Sequence, residues 1–284
     1  MSKIKIFTDS PADIPYDVVQ KLNIGFFPVR ILFGEEVVRD YVDITPAEFY
    51  ERIKNADELP TTSQMTVLDF YEGFKAAIEE GYDTIICFTI SKEASGTYQN
   101  AHLAKQMLEE DGIKADINIV AGYLSYVYGR AVVEAAEMVI DGRGKDEIIE
   151  TATKIIDSAR VYFLVDSLKY LKKGGRINAT AATVGDILNI KPILSIDGGL
   201  VTVADKVRGS KKALARMFDL IDEAGIREAK EVYIFDGAAG DELIAKVRSE
   251  LEERFGVTDA KISIVGPVIG THAGPGLVGI MIFK

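Results

Sequence analysis

The 284-residue sequence has no tryptophan, one cysteine and two histidines. A single thiol rules out an intrachain disulfide, and Cys87 lies inside the apolar run "TIICFTI", where it reads as a small core residue. So few histidines and cysteines also make a zinc centre a poor reading. No apolar run approaches the roughly 18–20 residues that cross a bilayer, and "MSKIKIFTDS" lacks the apolar core of a signal peptide, so the chain is expected in the cytoplasm. Positive charge is in deficit: 33 Lys and Arg face 44 Asp and Glu, a net charge of −11 that repels phosphate backbones and anionic membranes and argues against nucleic-acid binding. The G-x-x-x-x-G-K-[ST] phosphate loop and the G-x-S-x-G nucleophile elbow are missing. Gly274 to Gly279 does spell G-x-G-x-x-G, but that fingerprint needs a strand before it and a helix after it, and here an apparent strand follows.

What is present is a chain 48 % hydrophobic, long enough for one large core or two modest ones, with two domains expected. The first part alternates apolar strands with amphipathic helical patterns: "KIKIF", "FFPVRILF", "VLDFYEGFKAAIEEGY", "TIICFTI", "YQNAHLAKQMLEED", "INIV". That order predicts parallel βαβ units. Two helical segments, "YVYGRAVVEAAEMVIDG" and "KDEIIETATKIIDSA", read as a bridge that closes a first domain of residues 1–158. In the second domain, 159–284, strands "VYFLV", "KPILSI", "LVTVADKV", "EVYIF", "KISIVG" and "GLVGIMIF" mix with helices, including a small-residue helix "NATAATVGDILN". Asp197-Gly198-Gly199 joins two strands as a hairpin, so this half is expected to hold a mixed or antiparallel sheet.

Three polar stretches stand where a strand-to-helix turn or a helix start should be. In "TDSPADIP", Asp9 and Ser10 follow the first strand at the edge where ligands of open α/β sheets gather; Asp13 and Pro15 read as turn chemistry. In "LPTTSQMTVLDF", the hydroxyls of Thr61, Thr62 and Ser63 precede a helix; one is expected to cap it, and three exceed what one cap needs, so an anion or carboxylate contact stands beside the capping reading. In "FTISKEASGTYQNAH", Ser95 and Gly96 open a helix after the most apolar strand, an oxyanion cradle in which glycine admits a ligand and serine offers a hydroxyl. Catalysis by Ser95 would need a base, and the neighbouring His102 reads better as a surface or core residue. Between Lys169 and Lys212 nine cations face three acids. Most of those lysines read as a solvated face, whereas Arg176 and Arg208, each beside glycine, can reach a phosphate or carboxylate bidentately. His272, among glycines beside the last strand, reads by itself as a histidine satisfied in a tight turn.

The blocks "TDSPADIP", "TTSQ", "SGTYQNA", "DSLKYLKKGGRI", "KPIL" and "GTHAGPGLVG", in this order along nearly the whole chain, resemble the DegV family of bacterial fatty-acid-binding proteins. The resemblance implies a two-domain α/β fold: a three-layer α/β/α domain with a mostly parallel sheet, then a two-layer α/β domain with a mixed, largely antiparallel sheet. It implies a long-chain fatty acid buried between the domains, no other cofactor and no catalysis by this chain. The carboxylate would be presented to a partner fatty acid kinase that makes the acyl phosphate, a place in phospholipid metabolism. Block by block, carboxylate contacts fall on Thr62, Ser63, Ser95, Gly96 and His272, and phosphate handling or kinase docking on Arg176 and Arg208. Two departures stand out: Met65-Thr66 where the family usually continues Pro-Ser, and Ala121-Gly122 where it often reads Asp-Ser. The rival readings are a hydrolase or phosphotransferase using Ser95 or His272, and a binding protein for another amphipathic acid.

Overall fold

The computed structural model describes residues 3–56, 58–177 and 190–284; the helix expected over "NATAATVGDILN" lies outside the described residues. The chain divides into two compact units, Met1–Asp43 with Thr62–Asp157, and Ile44–Thr61 with Ser158–Lys284. Among the described residues no helix is long and apolar enough to cross a membrane.

In the first unit β1 (Ile4–Asp9), β2 (Gly25–Phe27), β6 (Thr84–Thr89) and β7 (Asp116–Ala121) form a parallel sheet in the order β2-β1-β6-β7. Every residue of β6 is buried, which is why "TIICFT" carries no alternation: a central parallel strand is covered on both faces. Cys87 sits at its middle, fully buried, beside Phe7 of β1 and Ile119 of β7. Helix α3 (Val67–Glu79) lays Phe70 and Phe74, four residues apart on one face, into an aromatic cluster with β1 and β2. There Phe7 stacks on Phe27 at 5.1 Å between ring centres, and Phe70 meets Phe27 edge-on at 4.5 Å. The remaining long helices of this unit are α4 (Thr97–Glu110), α5 (Tyr126–Ile140) and α6 (Lys145–Ser158).

"FFPVRILF", expected as one strand, is two. Pro28 has no N–H to give to a ladder, and the chain changes sheets there. β3 (Arg30–Phe33) turns back on β4 (Glu36–Arg39) in a three-stranded sheet ordered β4-β3-β5, where β5 is Thr61–Ser63.

The second unit has a six-stranded sheet ordered β10-β9-β8-β13-β11-β12, built from β8 (Arg160–Leu164), β9 (Ile190–Asp197), β10 (Leu200–Arg208), β11 (Glu231–Gly237), β12 (Lys261–Ile264) and β13 (Leu277–Phe283). Only β11 and β12 run parallel; the other neighbours are antiparallel. β9 and β10 meet through Gly198 and Gly199 with φ of 56° and 79°, the doubly positive pair that a two-residue hairpin turn requires. Helices α8 (Ser210–Glu223) and α9 (Asp241–Phe255) set Met217, Phe218, Ile221, Val247 and Leu251 against Ile193, Ile234, Ile280 and Ile282 of the sheet. Helix α2 (Pro46–Lys54) opens on a capping box of Thr45 and Glu48, and its Tyr50 hydroxyl donates to the Val265 carbonyl at 3.0 Å, tying segment 44–61 to this unit.

β13 lies inside the sheet, between β8 and β11, and all seven of its residues are buried. Ile280→Ala removes a fully buried side chain facing α8 and α9; unfolding in urea is expected to show a loss of about 2–5 kcal/mol in the stability of the second unit.

Candidate functional site

The first unit brings two of the expected blocks together. Thr62 and Ser63 are half-buried on β5, and Ser95 and Gly96 stand at the start of α4. Between β5 and α3 the chain passes directly over that helix start. Met65 N–H donates to Thr97 Oγ1 at 3.3 Å, and Asn100 Nδ2 donates to the Met65 carbonyl at 2.7 Å. The Gln64 carboxamide occupies the space a Cβ on residue 96 would fill, so glycine is needed there for close approach. The Ser95 hydroxyl shares a hydrogen bond of 2.9 Å with Thr97 Oγ1 and accepts from Thr97 N–H at 3.2 Å. The hydroxyls of Ser95 and Thr97 and the first N–H groups of α4 thus gather beside Gly96, an arrangement suited to an anionic oxygen.

None of Thr61, Thr62 and Ser63 caps α3. The cap is Thr66, which accepts from Asp69 N–H at 3.1 Å and donates to the Asp69 carboxylate at 2.6 Å. Arg30 holds the same carboxylate with two bonds of 2.8 and 2.9 Å and keeps its pKa far below the usual carboxylate range. The Met65-Thr66 departure is accounted for: Met65 is buried under the loop, and Thr66 sets where the helix begins.

Asp9 and Ser10 are locked into the fold. Ser10 Oγ accepts from Val29 N–H at 3.1 Å. Asp9 is fully buried at the end of β1, where its carboxylate accepts from the Tyr128 hydroxyl at 2.6 Å and from Ile90 N–H at 3.1 and 3.0 Å. Burial outweighs these bonds and raises its pKa from the usual 3.8 to about 6. Asp13, at a left-handed φ of 51°, accepts from Ser125, whose own φ is 56°. Tyr128 was not legible beforehand, because a tyrosine on the apolar face of a helix reads as core. Its ring also explains the second departure: a Cβ on residue 122 would come within 2.5 Å of it, so the serine that the family resemblance would place at position 122 cannot coexist with this ring position.

The second unit brings Arg176 close to His272. It occupies the last turn of helix α10 (Pro267–Ala273) rather than a free turn, with Gly274 following at a φ of 78°. Helix α7 (Lys169–Gly174) packs on α10 and ends at left-handed Gly175; the imidazole Nδ1 lies in the space where residue 174 would carry a Cβ. Arg176 folds back to donate to the Gly174 carbonyl. Burial, and then the positive charge of Arg176, lower the His272 pKa to about 4, so the ring is neutral near pH 7 and offers an uncharged N–H. Arg208 is exposed at the end of β10, opposite Ile190. His102 stacks edge-on against Tyr98 at 4.6 Å, and its Nε2 has no hydrogen-bond partner among the described residues. Among the described residues no group of three or more His, Cys, Asp or Glu side chains is arranged to hold a metal ion.

A family profile described as an uncharacterised protein of the DegV family matches residues 3–284. The chain belongs to the DegV family. A DegV domain-containing protein of Halalkalibacterium halodurans is 36 % identical over 99 % of this chain and 98 % of its own. Two solved structures resemble the chain over nearly their whole lengths. A fatty-acid-binding DegV family protein of Thermus thermophilus is 30 % identical with a TM-score of 0.86, covering 99 % of both chains. A stearic-acid-binding protein of Eubacterium ventriosum is 27 % identical with a TM-score of 0.88, covering 100 % of this chain and 98 % of that one. The fold expected from the resemblance is the observed one: α/β in two domains, one with a parallel sheet and one with a mixed, mostly antiparallel sheet.

Asp9 gives this family member a pH signature. Its folded pKa is above its unfolded value, so its contribution to stability is complete below about pH 4 and is lost as pH rises through 6. A shift of about two pKa units corresponds to roughly 3 kcal/mol. Asp9→Asn is expected to flatten that part of the stability profile, measured by urea unfolding between pH 4 and 8. Gly122→Ser is expected to cost about 1–3 kcal/mol in the same assay, by forcing the Tyr128 ring to move.

Proposed function

We propose that this protein is a non-catalytic carrier that binds a long-chain fatty acid and presents its carboxylate to a partner fatty acid kinase for conversion to the acyl phosphate. The observation that carries this reading is the whole-length likeness to two solved proteins described as binding fatty acids, one of the DegV family and one binding stearic acid. The local chemistry supports it. A buried carboxylate must be met by several donors or it takes up a proton. In this reading Thr62, Ser63, Ser95 and the N–H groups beside Gly96 serve as donors, and His272, neutral near pH 7, is another. An acyl chain contributes about 0.8 kcal/mol per buried CH₂, ample for tight binding after the cost of ordering.

Arg176 and Arg208 serve phosphate handling or kinase docking in this reading. Arg176 has the stronger support, since its charge acts directly on His272. The hydrolase alternative has no supporting geometry: the Ser95 hydroxyl is engaged by Thr97, and among the described residues no histidine is hydrogen-bonded to it.

Native mass spectrometry of the freshly purified protein, followed by extraction, is expected to find one long-chain fatty acid per chain; a sterol, a nucleotide or an empty protein that refuses added fatty acid would overturn the reading. His272→Ala and Ser95→Ala are each expected to weaken fatty-acid binding or carboxylate transfer by about 1–3 kcal/mol in a displacement titration or kinase-coupled assay, the loss typical of a charged group deprived of one donor. Unchanged binding and unchanged transfer in both variants would remove these residues from the site. Acyl phosphate formed from ATP without any added kinase would show the chain to be an enzyme.

A further inference from the structure

The second unit contains a pocket that this reading does not use. It is a cavity of about 210 Å³ at one end of the six-stranded sheet, between the first turns of α8 and α9. Its walls are apolar: Leu164 and Val278 from the strands, Pro192 at the start of β9, Leu214 from α8 and Leu243 from α9. Its polar groups are strongly biased in sign. Lys191, Lys211 and Lys246 line it together with one acid, Asp166, and with Ser210. Lys191 Nζ donates to the Asp166 main-chain carbonyl at 3.3 Å, which fixes its stem at the mouth. Among the described residues neither Lys211 nor Lys246 is paired with an acid, although the chain as a whole carries eleven more acids than bases.

We propose that this pocket binds a small phosphate monoester bearing a compact apolar group. The charge decides the head group: three lysines against one aspartate leave two positive charges, which match a phosphate dianion and exceed a monocarboxylate. The positive end of α8 adds to the same field. The walls decide the body, since apolar side chains gain from covering an apolar substituent and nothing from bare phosphate. The volume decides the size. A cavity of about 150 Å³ accommodates benzene, so a volume of about 210 Å³ matches a single ring or a short chain. None of the residues assigned to carboxylate or kinase contacts lines the pocket.

Phenyl phosphate, inorganic phosphate and benzoate are titrated calorimetrically into the full-length protein, in parallel with measurement of its fatty-acid content. Phenyl phosphate is expected to saturate one site at least tenfold more tightly than either control, and Lys211→Glu with Lys246→Glu to weaken it at least tenfold without altering the melting temperature. Both lysines are exposed, so the double variant tests charge rather than packing. Absence of saturable binding, equal affinity for inorganic phosphate or benzoate, or undiminished binding in the double variant would overturn the proposal. A protein that binds phenyl phosphate but never carries a fatty acid would leave this pocket standing and remove the carrier reading alone.

Discussion

A central parallel strand that is buried on both faces leaves little room for charged side chains along its length, and the hydrogen-bonding groups gather at its carboxyl end. β6 is buried at all six positions, and the groups that matter follow it: Ile90 N–H, which closes on the Asp9 carboxylate, then the turn that leads to Ser95 and the start of α4. β1 obeys the same constraint, ending on Asp9 and passing at once into Ser10. A carboxylate buried there is tolerated because the free backbone N–H at the strand end and the Tyr128 hydroxyl both point at it. The edge of the sheet is thus both its most polar place and a rigid one, which is what a site for a charged head group needs.

Close approach is the second theme. At Gly96, Gly122 and Gly174 the space of a missing Cβ is filled by Gln64, Tyr128 and His272 respectively. In each case a loop or ring is pressed against backbone, so close packing restricts its position. Pressing His272 onto α7 also removes it from water, and that burial makes it a neutral donor. A carboxylate meeting such a ring gains a hydrogen bond without the cost of desolvating a second charge.

The charge distribution divides the molecule by task. The chain as a whole carries a net charge of −11, yet one end of the six-stranded sheet gathers Lys191, Lys211 and Lys246 with one aspartate. Some other cations of this unit are paired, as Arg216 is with Asp205 and Glu223 and Arg254 is with Glu250, and such pairs add little to stability. Unpaired lysines around an apolar hollow are a different arrangement, one whose self-repulsion an anionic ligand relieves.

Local pattern was enough for the alternation of strand and helix, the βαβ order of the first part, the Asp197-Gly198-Gly199 hairpin and the burial of Cys87, because periodicity and turn chemistry act over a few residues. The block around Thr62 was legible as a run of hydroxyls before a helix, and those around Ser95, Arg176 and His272 as polar residues beside glycine. Their relations were not. That Thr66 rather than Thr61, Thr62 or Ser63 caps α3, that Pro28 divides one apolar run between two sheets, that Tyr128 closes on Asp9 across 119 positions, and that segment 44–61 joins the second unit are all decisions of packing. Contacts between residues far apart in the chain depend on which faces meet, and a sequence displays the faces without displaying their partners.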